Sequence, residues 1–178
     1  MNFRALLLAV LIATISLPTS AKEFWWAYMA SYDGTPGSTR VNMRLKEKAP
    51  FPEYQTLVVT GTTYAAKKEG LPDPADLGRL NQLSFKGVAT IRSVSPAIHA
   101  GTFTHNGEQL HYVYVKDAAG IEKTLRGMYA KACPACKIYI NIKKDPSWSG
   151  YTDFLYPNKP TRDFYRDELK KYGFIENE

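Results

Sequence analysis

A chain of 178 residues, 44% hydrophobic and 22% charged, has the length of one domain and is too apolar to be disordered. Twelve tyrosines and an aromatic share of 13% suit sheets and contact surfaces. The formal net charge of +6 favours anionic partners as a class and singles out none of them, since the same balance also serves solubility.

Residues 1–4 carry one positive charge, residues 5–17 are apolar, and Thr19-Ser20-Ala21 is a small-residue exit. That is the layout of a secretory signal peptide cut after Ala21. The apolar run is shorter than the roughly 20 residues that span a bilayer. No cysteine directly follows the expected cut, which argues against a lipoprotein. The expected product is one α+β domain over 22–178, periplasmic or secreted, with no stable membrane insertion after cleavage. Nucleic acid is not an expected partner of an exported protein.

Residues 24–32 alternate as a strand, and Asp33-Gly34-Thr35-Pro36-Gly37 is dense in turn formers. The returning strand is predicted over 39–46, with Val41, Met43 and Leu45 on one face and Arg40, Asn42 and Arg44 on the other. A third strand, rich in Val and Thr, covers 57–64, and 67–70 close it. Asp73 then caps a helix whose first residue is Pro74 and whose first turn holds Asp76. Leu77, Leu80, Leu83, Val88 and Ile91 follow helical spacing, and Pro96 ends the region.

The segments 97–104 and 109–115 flank His105-Asn106-Gly107-Glu108, where Asn-Gly signals a two-residue hairpin turn. That register sets Phe103 against Leu110, Gly101 against Tyr112 and His99 against Tyr114 on one face. Thr102 with His111, Ala100 with Val113 and Ile98 with Val115 take the other. Asp117 is expected to cap a second helix with Ile121, Leu125, Met128 and Ala132 on its apolar stripe. The strand 137–143 follows, with Ile138, Ile140 and Ile142 on one face and Tyr139 and Asn141 on the other. The run 145–157 sets Trp148, Tyr151, Phe154 and Tyr156 among turn formers. It holds too much apolar area for a solvated loop, so it is expected to be an ordered arm packed on the domain. A last helix from Pro160 would use Phe164, Tyr165, Leu169 and Tyr172, with Gly173 at its end.

The order is β-β-β-α-β-β-α-β-α, and its middle six elements match the split β-α-β arrangement of ferredoxin-like folds. The expected architecture is a ferredoxin-like core sheet with two helices on one face, an extra N-terminal β-hairpin on an edge and a C-terminal helix. The opposite face would carry His99, Phe103, Tyr112, Tyr114 and Tyr139.

Chemistry-bearing residues are few. In an oxidising compartment Cys133 and Cys136 should pair as a structural staple. A redox-active pair wants a helix N-terminus, whereas this one follows a helix. Zinc would need a second pair of ligands. The register places His111 opposite His99 and sets His99 and His105 on one face about 20 Å apart, which disfavours a joint metal or catalytic site. Asp145 and Asp153 could be an acid/base pair around Trp148, against the plainer reading that they cap turns. No nucleophile elbow, zinc helix, phosphate loop or dinucleotide fingerprint is present in the sequence, and no cofactor is implied. Arg40, Asn42, Arg44, Phe103, Tyr112, Tyr114 and Tyr139 form the candidate binding surface, suited to a protein or a small anionic ligand. The alternative is that the arm, through Asp145, Trp148, Tyr151, Asp153 and Tyr156, covers that face and makes it core.

With Trp26 and Tyr28 in the first strand, Gly70-Leu71-Pro72 before the first helix, the Tyr112–Tyr114 strand and the arm 148–157, the chain resembles the bacterial domain-of-unknown-function family numbered 695. The resemblance implies no activity, cofactor or catalytic residue. Some members join a domain resembling an α/β inhibitor of ribonuclease E, for which this length leaves no room. The sequence reading is therefore a non-enzymatic, exported binding or interaction domain, inhibitor-like in style. The alternative is a periplasmic enzyme such as a thiol–disulfide oxidoreductase using Cys133 and Cys136.

Overall fold

The computed structural model describes residues 23–66 and 70–175; the segment 1–21, expected to be a signal peptide, and residues 67–69, expected to close the third strand, lie outside the described residues. The domain is α+β. Strands β1 (Trp25–Tyr32), β2 (Thr35–Asn42), β3 (Thr56–Thr63), β4 (Ala97–His105), β5 (Glu108–Val115) and β6 (Ile138–Lys144) form one sheet in the order β1-β2-β4-β5-β3-β6. Every neighbouring pair in it is antiparallel. Helices α1 (Pro74–Val94) and α2 (Ile121–Ala132) follow β3 and β5, and α3 (Lys159–Phe164) and α4 (Arg166–Lys171) close the described chain.

Local chemistry explains the boundaries. Asp33 and Gly34 both take positive φ (50° and 79°), so the first hairpin turns in two residues and β2 begins at Thr35, four residues before the predicted start. After Asn42 the chain coils into a short 3-10 turn, Met43–Glu47, where strand had been predicted. Asp73 caps α1 by accepting from Ala75 N, as its sequence implies. Helix α2 starts instead from Gly120 at φ 77°, while the Asp117 carboxylate accepts from Ala119 N in the preceding turn.

Two cores lie on the two faces of the sheet. On one face α1 and α2 bury Val88, Ile91, Ile121, Leu125 and Tyr129 against Val58, Val113 and Val115, flanked by Ile138, Ile140 and Ile142. Tyr129, which the predicted stripe missed, links α2 to β3 through a 3.1 Å hydrogen bond between its hydroxyl and Thr60 Oγ1. Leu77, assigned to the stripe, is 43% exposed.

The arm covers the other face. Its core joins Trp26, Tyr28, Val41, Leu57, Val59 and Tyr114 from the sheet to Trp148, Tyr151 and Leu155 of the arm and Leu169 of α4. The Trp148 indole stacks on the Tyr114 ring at 3.8 Å and 5°, and its Nε1 donates to Tyr54 O at 2.8 Å. Beyond it, Gly150–Leu155 forms one wide helical turn closed by Tyr156 N to Tyr151 O. Tyr151 OH donates to Asn42 O, and Tyr28 OH donates to Leu155 O.

The Asp145 carboxylate organises this arm. It is 4% exposed and accepts from Tyr114 OH at 2.6 Å, from Ser149 N, Ser149 Oγ and Gly150 N at 2.9 Å each, and from Ser147 Oγ at 3.3 Å. Burial by itself would raise its pKa, but the hydroxyl and amide donors outweigh burial and hold it below the ordinary carboxylate value. A Cβ on Gly150 would stand 2.5 Å from Leu57 Cδ2 and 3.1 Å from Tyr114 OH, so the turn closes only over a glycine.

The predicted single C-terminal helix is broken at Tyr165 into α3 and α4. Leu169 is buried as expected, but Phe164 is 82% exposed. Trp26 Nε1 donates to Glu168 Oε1 at 2.9 Å, which docks this segment beside β1.

Because Trp148 and Tyr151 are both fully buried, Trp148→Ala and Tyr151→Ala should each cost about 3–5 kcal/mol. Tyr151 therefore does not lie outward as a ligand contact. Urea midpoints of the two variants against wild type check this, and a wild-type midpoint for either would return the arm to solvated loop.

Candidate functional site

The arm decides what is left open. Phe103 and Tyr112 pack on Phe154, with ring centroids 4.9 and 5.4 Å away, and Tyr114 lies under Trp148. Asn42 is buried, and its Oδ1 has no hydrogen-bond partner among the described residues. Arg44 pairs with Glu47 at 2.9 Å and lies over the Phe174 ring. Tyr139 is 39% exposed near the β6 edge. Of the candidate surface, Phe103, Tyr112 and Tyr114 thus lie beneath the arm, and Arg40 alone opens onto a groove on the opposite side. Asp153 is exposed and bonded to Thr152 Oγ1, far from the burial of Asp145. Tyr156 is half-buried between Lys46 and Arg162.

The groove follows from the layer count. The helix pair packs on β4, β5, β3 and β6, and the β1–β2 hairpin extends past it. The helix-side face of that hairpin, with Trp25, Ala27, Met29, Ser38 and Arg40, therefore has α1 beside it as a wall and, among the described residues, no helix above it. One section, about 380 Å³, runs between Met29 and Ala27 on the sheet and Leu71, Pro72 and Leu77 at the start of α1. A second, about 680 Å³, is lined by Phe85, Arg92, Ser93 and His99. Arg40, Asn81 and Ser84 line both, so the two sections are continuous.

A β-bulge supplies the back of the groove. Pairing follows the predicted register from His105↔Glu108 to Gly101↔Tyr112 and then shifts by one, so that His99 faces Val113 and Ile98 faces Tyr114. Two expectations are corrected. His99 and His111 share the helix face, with rings 6.0 Å apart, and His99 and His105 lie on opposite faces. Ile98 and Ala100 belong to the arm-side core. The physical reason is one extra residue in the strand, which reverses every side chain beyond it. Gly101 was the available signal, since a lone glycine inside a strand marks a bulge or a close approach. A Cβ there would meet Arg40 O at 2.7 Å.

The bulge assembles a row of groups. The Arg40 guanidinium lies 4.8 Å over the Trp25 ring, and Trp25 packs on His99 at 4.9 Å. His99 Nε2 is 3.0 Å from Gly101 O. A carbonyl only accepts, so Nε2 carries the proton. Thr102 Oγ1 lies 3.0 Å and Ser84 Oγ 3.3 Å from His111 Nδ1. Burial lowers the His99 pKa to about 4, and the nearby Arg92 and Arg40 add to the effect. Burial, with His99 beside it, lowers His111 to about 3. Both imidazoles are therefore neutral near pH 7. A base that weak does not activate Ser84 at neutrality, so the Ser84–His111 contact serves structure. Among the described residues neither Arg40 nor Arg92 is in an ion pair.

Cys133 and Cys136 form a disulfide in the turn between α2 and β6. Arg79 Nη1 approaches Cys136 Sγ to 3.5 Å and Cys133 Sγ to 4.0 Å while its Nη2 pairs with Asp76. Among the described residues no group of three or more His, Cys, Asp or Glu is placed to hold a metal ion, and no helix is long and apolar enough to cross a membrane.

An antiparallel sheet held between two helices and an aromatic arm, with a groove beside the first helix, defines an α+β domain. The chain belongs to the family of unknown function DUF695, which matches residues 23–156, a span holding all six strands, both long helices and the arm as far as Tyr156. No curated protein and no solved structure matches it.

The pKa values fix a sign for acid stability. Between 6.5 and about 4 an unfolded chain binds protons that folded His99 and His111 refuse. Stability should be highest above pH 6.5 and fall on acidification through that window. Asp145, held low in the fold, adds a further loss below its ordinary range. Thermal melts from pH 8 to pH 3 check this, and His99→Gln should flatten the upper part of the fall.

Proposed function

We propose that this is an exported, non-enzymatic binding domain, and that the groove beside α1 is its site. The observation that carries the reading is the pair Arg40 and Arg92, which line one groove without an ion-pair partner among the described residues. Neutral imidazoles and aromatic rings back these exposed guanidinium groups, so the local field is positive, which favours an anionic group. Such a ligand places its charge between the two guanidinium groups and its body along the groove. A small anion or an acidic segment of a partner protein fits this chemistry.

The order β6-β3-β5-β4, with helices following β3 and β5, supports reading the core as ferredoxin-like, with the first hairpin added beyond β4. The disulfide and the n-, h- and c-regions of residues 1–21 support export to the periplasm or beyond. N-terminal sequencing of the product should begin at Lys22; retention of Met1 in a membrane fraction would contradict export.

The binding reading is checked by following the Trp25 indole resonance while acetate or phosphate is added. Saturable shifts are expected, weakened at least tenfold in Arg40→Ala and Arg92→Ala, each on an exposed side chain whose loss leaves the melt unchanged. Arg79 beside Cys136 gives a second reading some support, since a guanidinium favours a thiolate after reduction. Turnover of a model disulfide that disappears in Cys133→Ser would favour that enzyme reading; no turnover is expected.

A further inference from the structure

Resting on the assignment of the groove as the binding site, we propose that its ligand is an amphiphilic carboxylate, with the carboxylate at Arg40 and Arg92 and an unbranched alkyl chain along Met29, Leu71, Pro72 and Leu77. The two sections of the groove differ in chemistry and join at Arg40, Asn81 and Ser84. The cationic section holds the two guanidinium groups that have no ion pair among the described residues. The section toward the start of α1 is walled by Ala27, Met29, Leu71, Pro72 and Leu77. Met29 and Leu77 are each 43% exposed there, apolar surface left open among the described residues.

The floor is polar by residue type, and part of that polarity is met within it. Thr102 Oγ1 is engaged by His111, and Thr104 Oγ1 accepts from Gln109 Nε2 at 3.4 Å. Both hydroxyls thus have a partner within the floor, and the apolar side chains of the section lie on its walls. A peptide would fit worse. The strands under the groove pair with one another, β1 with β2 and β2 with β4, so a peptide lying between them meets no strand edge, the one edge on this side being the outer edge of β1. Those amides would be desolvated without partners. An alkyl chain has no such groups. The volume of about 380 Å³ is within the range of small-molecule sites.

The test is a homologous series of n-alkanoates, from acetate through butanoate and hexanoate to octanoate below its micelle concentration, titrated into the full domain by calorimetry and by Trp25 resonance shifts. Affinity should tighten about two- to fourfold per added methylene until the section is filled. Leu77→Ser and Met29→Ser, both at exposed positions, should flatten the chain-length dependence and leave acetate binding unchanged. Arg40→Ala should weaken every member alike. Equal affinity for acetate and octanoate would overturn the alkyl assignment and leave the anion site standing; no binding by any member would remove both. Octanoate binding that survives Arg40→Ala with Arg92→Ala would also overturn it, as would tighter binding of a tetrapeptide with a free carboxylate.

Discussion

The buried carboxylate of Asp145 is the constraint on which the rest of this domain depends. A carboxylate taken out of water is costly unless its oxygens are filled. Here five donors fill them, and four belong to the turn it closes, at Ser147, Ser149 and Gly150. The fifth, Tyr114 OH, belongs to the sheet, and the same hydroxyl accepts from Tyr151 N at 3.1 Å. The turn is thereby tied to β5 at one point, and the aromatic arm must run across the sheet from there. The tie also holds Trp148 at φ +60°, a left-handed conformation that costs a side chain about 1–3 kcal/mol. Burying an indole of roughly 200 Å² contributes about 5 kcal/mol, so packing on Tyr114 outweighs the backbone strain.

Coverage of the sheet is then unequal on its two faces. The arm and α4 reach from β5 out to β1, sealing Trp26 and Tyr28 with the rest of that core. The helices on the other side stop at β4. The N-terminal hairpin is thus anchored by its arm-side face and left bare on its helix-side face, and the bare face is the groove. The bulge at His99–Gly101 completes the arrangement. Without the extra residue His99 would point into the arm-side core, and Trp25 would lose the ring against which it holds Arg40 in place.

Much of the architecture was legible because its signals are local. Asn106-Gly107 gave the second hairpin and its register near the turn, Asp73-Pro74 gave the start of α1, and the alternation of Ile138, Ile140 and Ile142 gave the face of β6. The aromatic content of 145–157 announced a packed arm. What escaped were features set by tertiary contact. The bulge depends on how closely Gly101 approaches the Arg40 backbone, and one slipped residue moved His99 between faces and hid the groove. The fold divides the candidate surface of Arg40, Asn42, Arg44, Phe103, Tyr112, Tyr114 and Tyr139, with Phe103, Tyr112 and Tyr114 beneath the arm, Arg44 in the 3-10 turn and Arg40 on the groove; periodicity alone does not say which face a later segment covers. Phe164 stands in an apolar pattern and is exposed because the break at Tyr165 turns α3 away from the body of the domain.

Native-state hydrogen exchange tests the role of Asp145 most directly, because the amides of Ser149 and Gly150 donate to Asp145, and that of Tyr151 is shared between the hydroxyl that Asp145 holds and Trp148 O. If the carboxylate fixes the arm as part of the cooperative fold, these three amides exchange as slowly as the central amides of β5, and in Asp145→Asn they become the fastest-exchanging of the arm. Exchange of the three at loop rates in the wild-type protein would contradict the account.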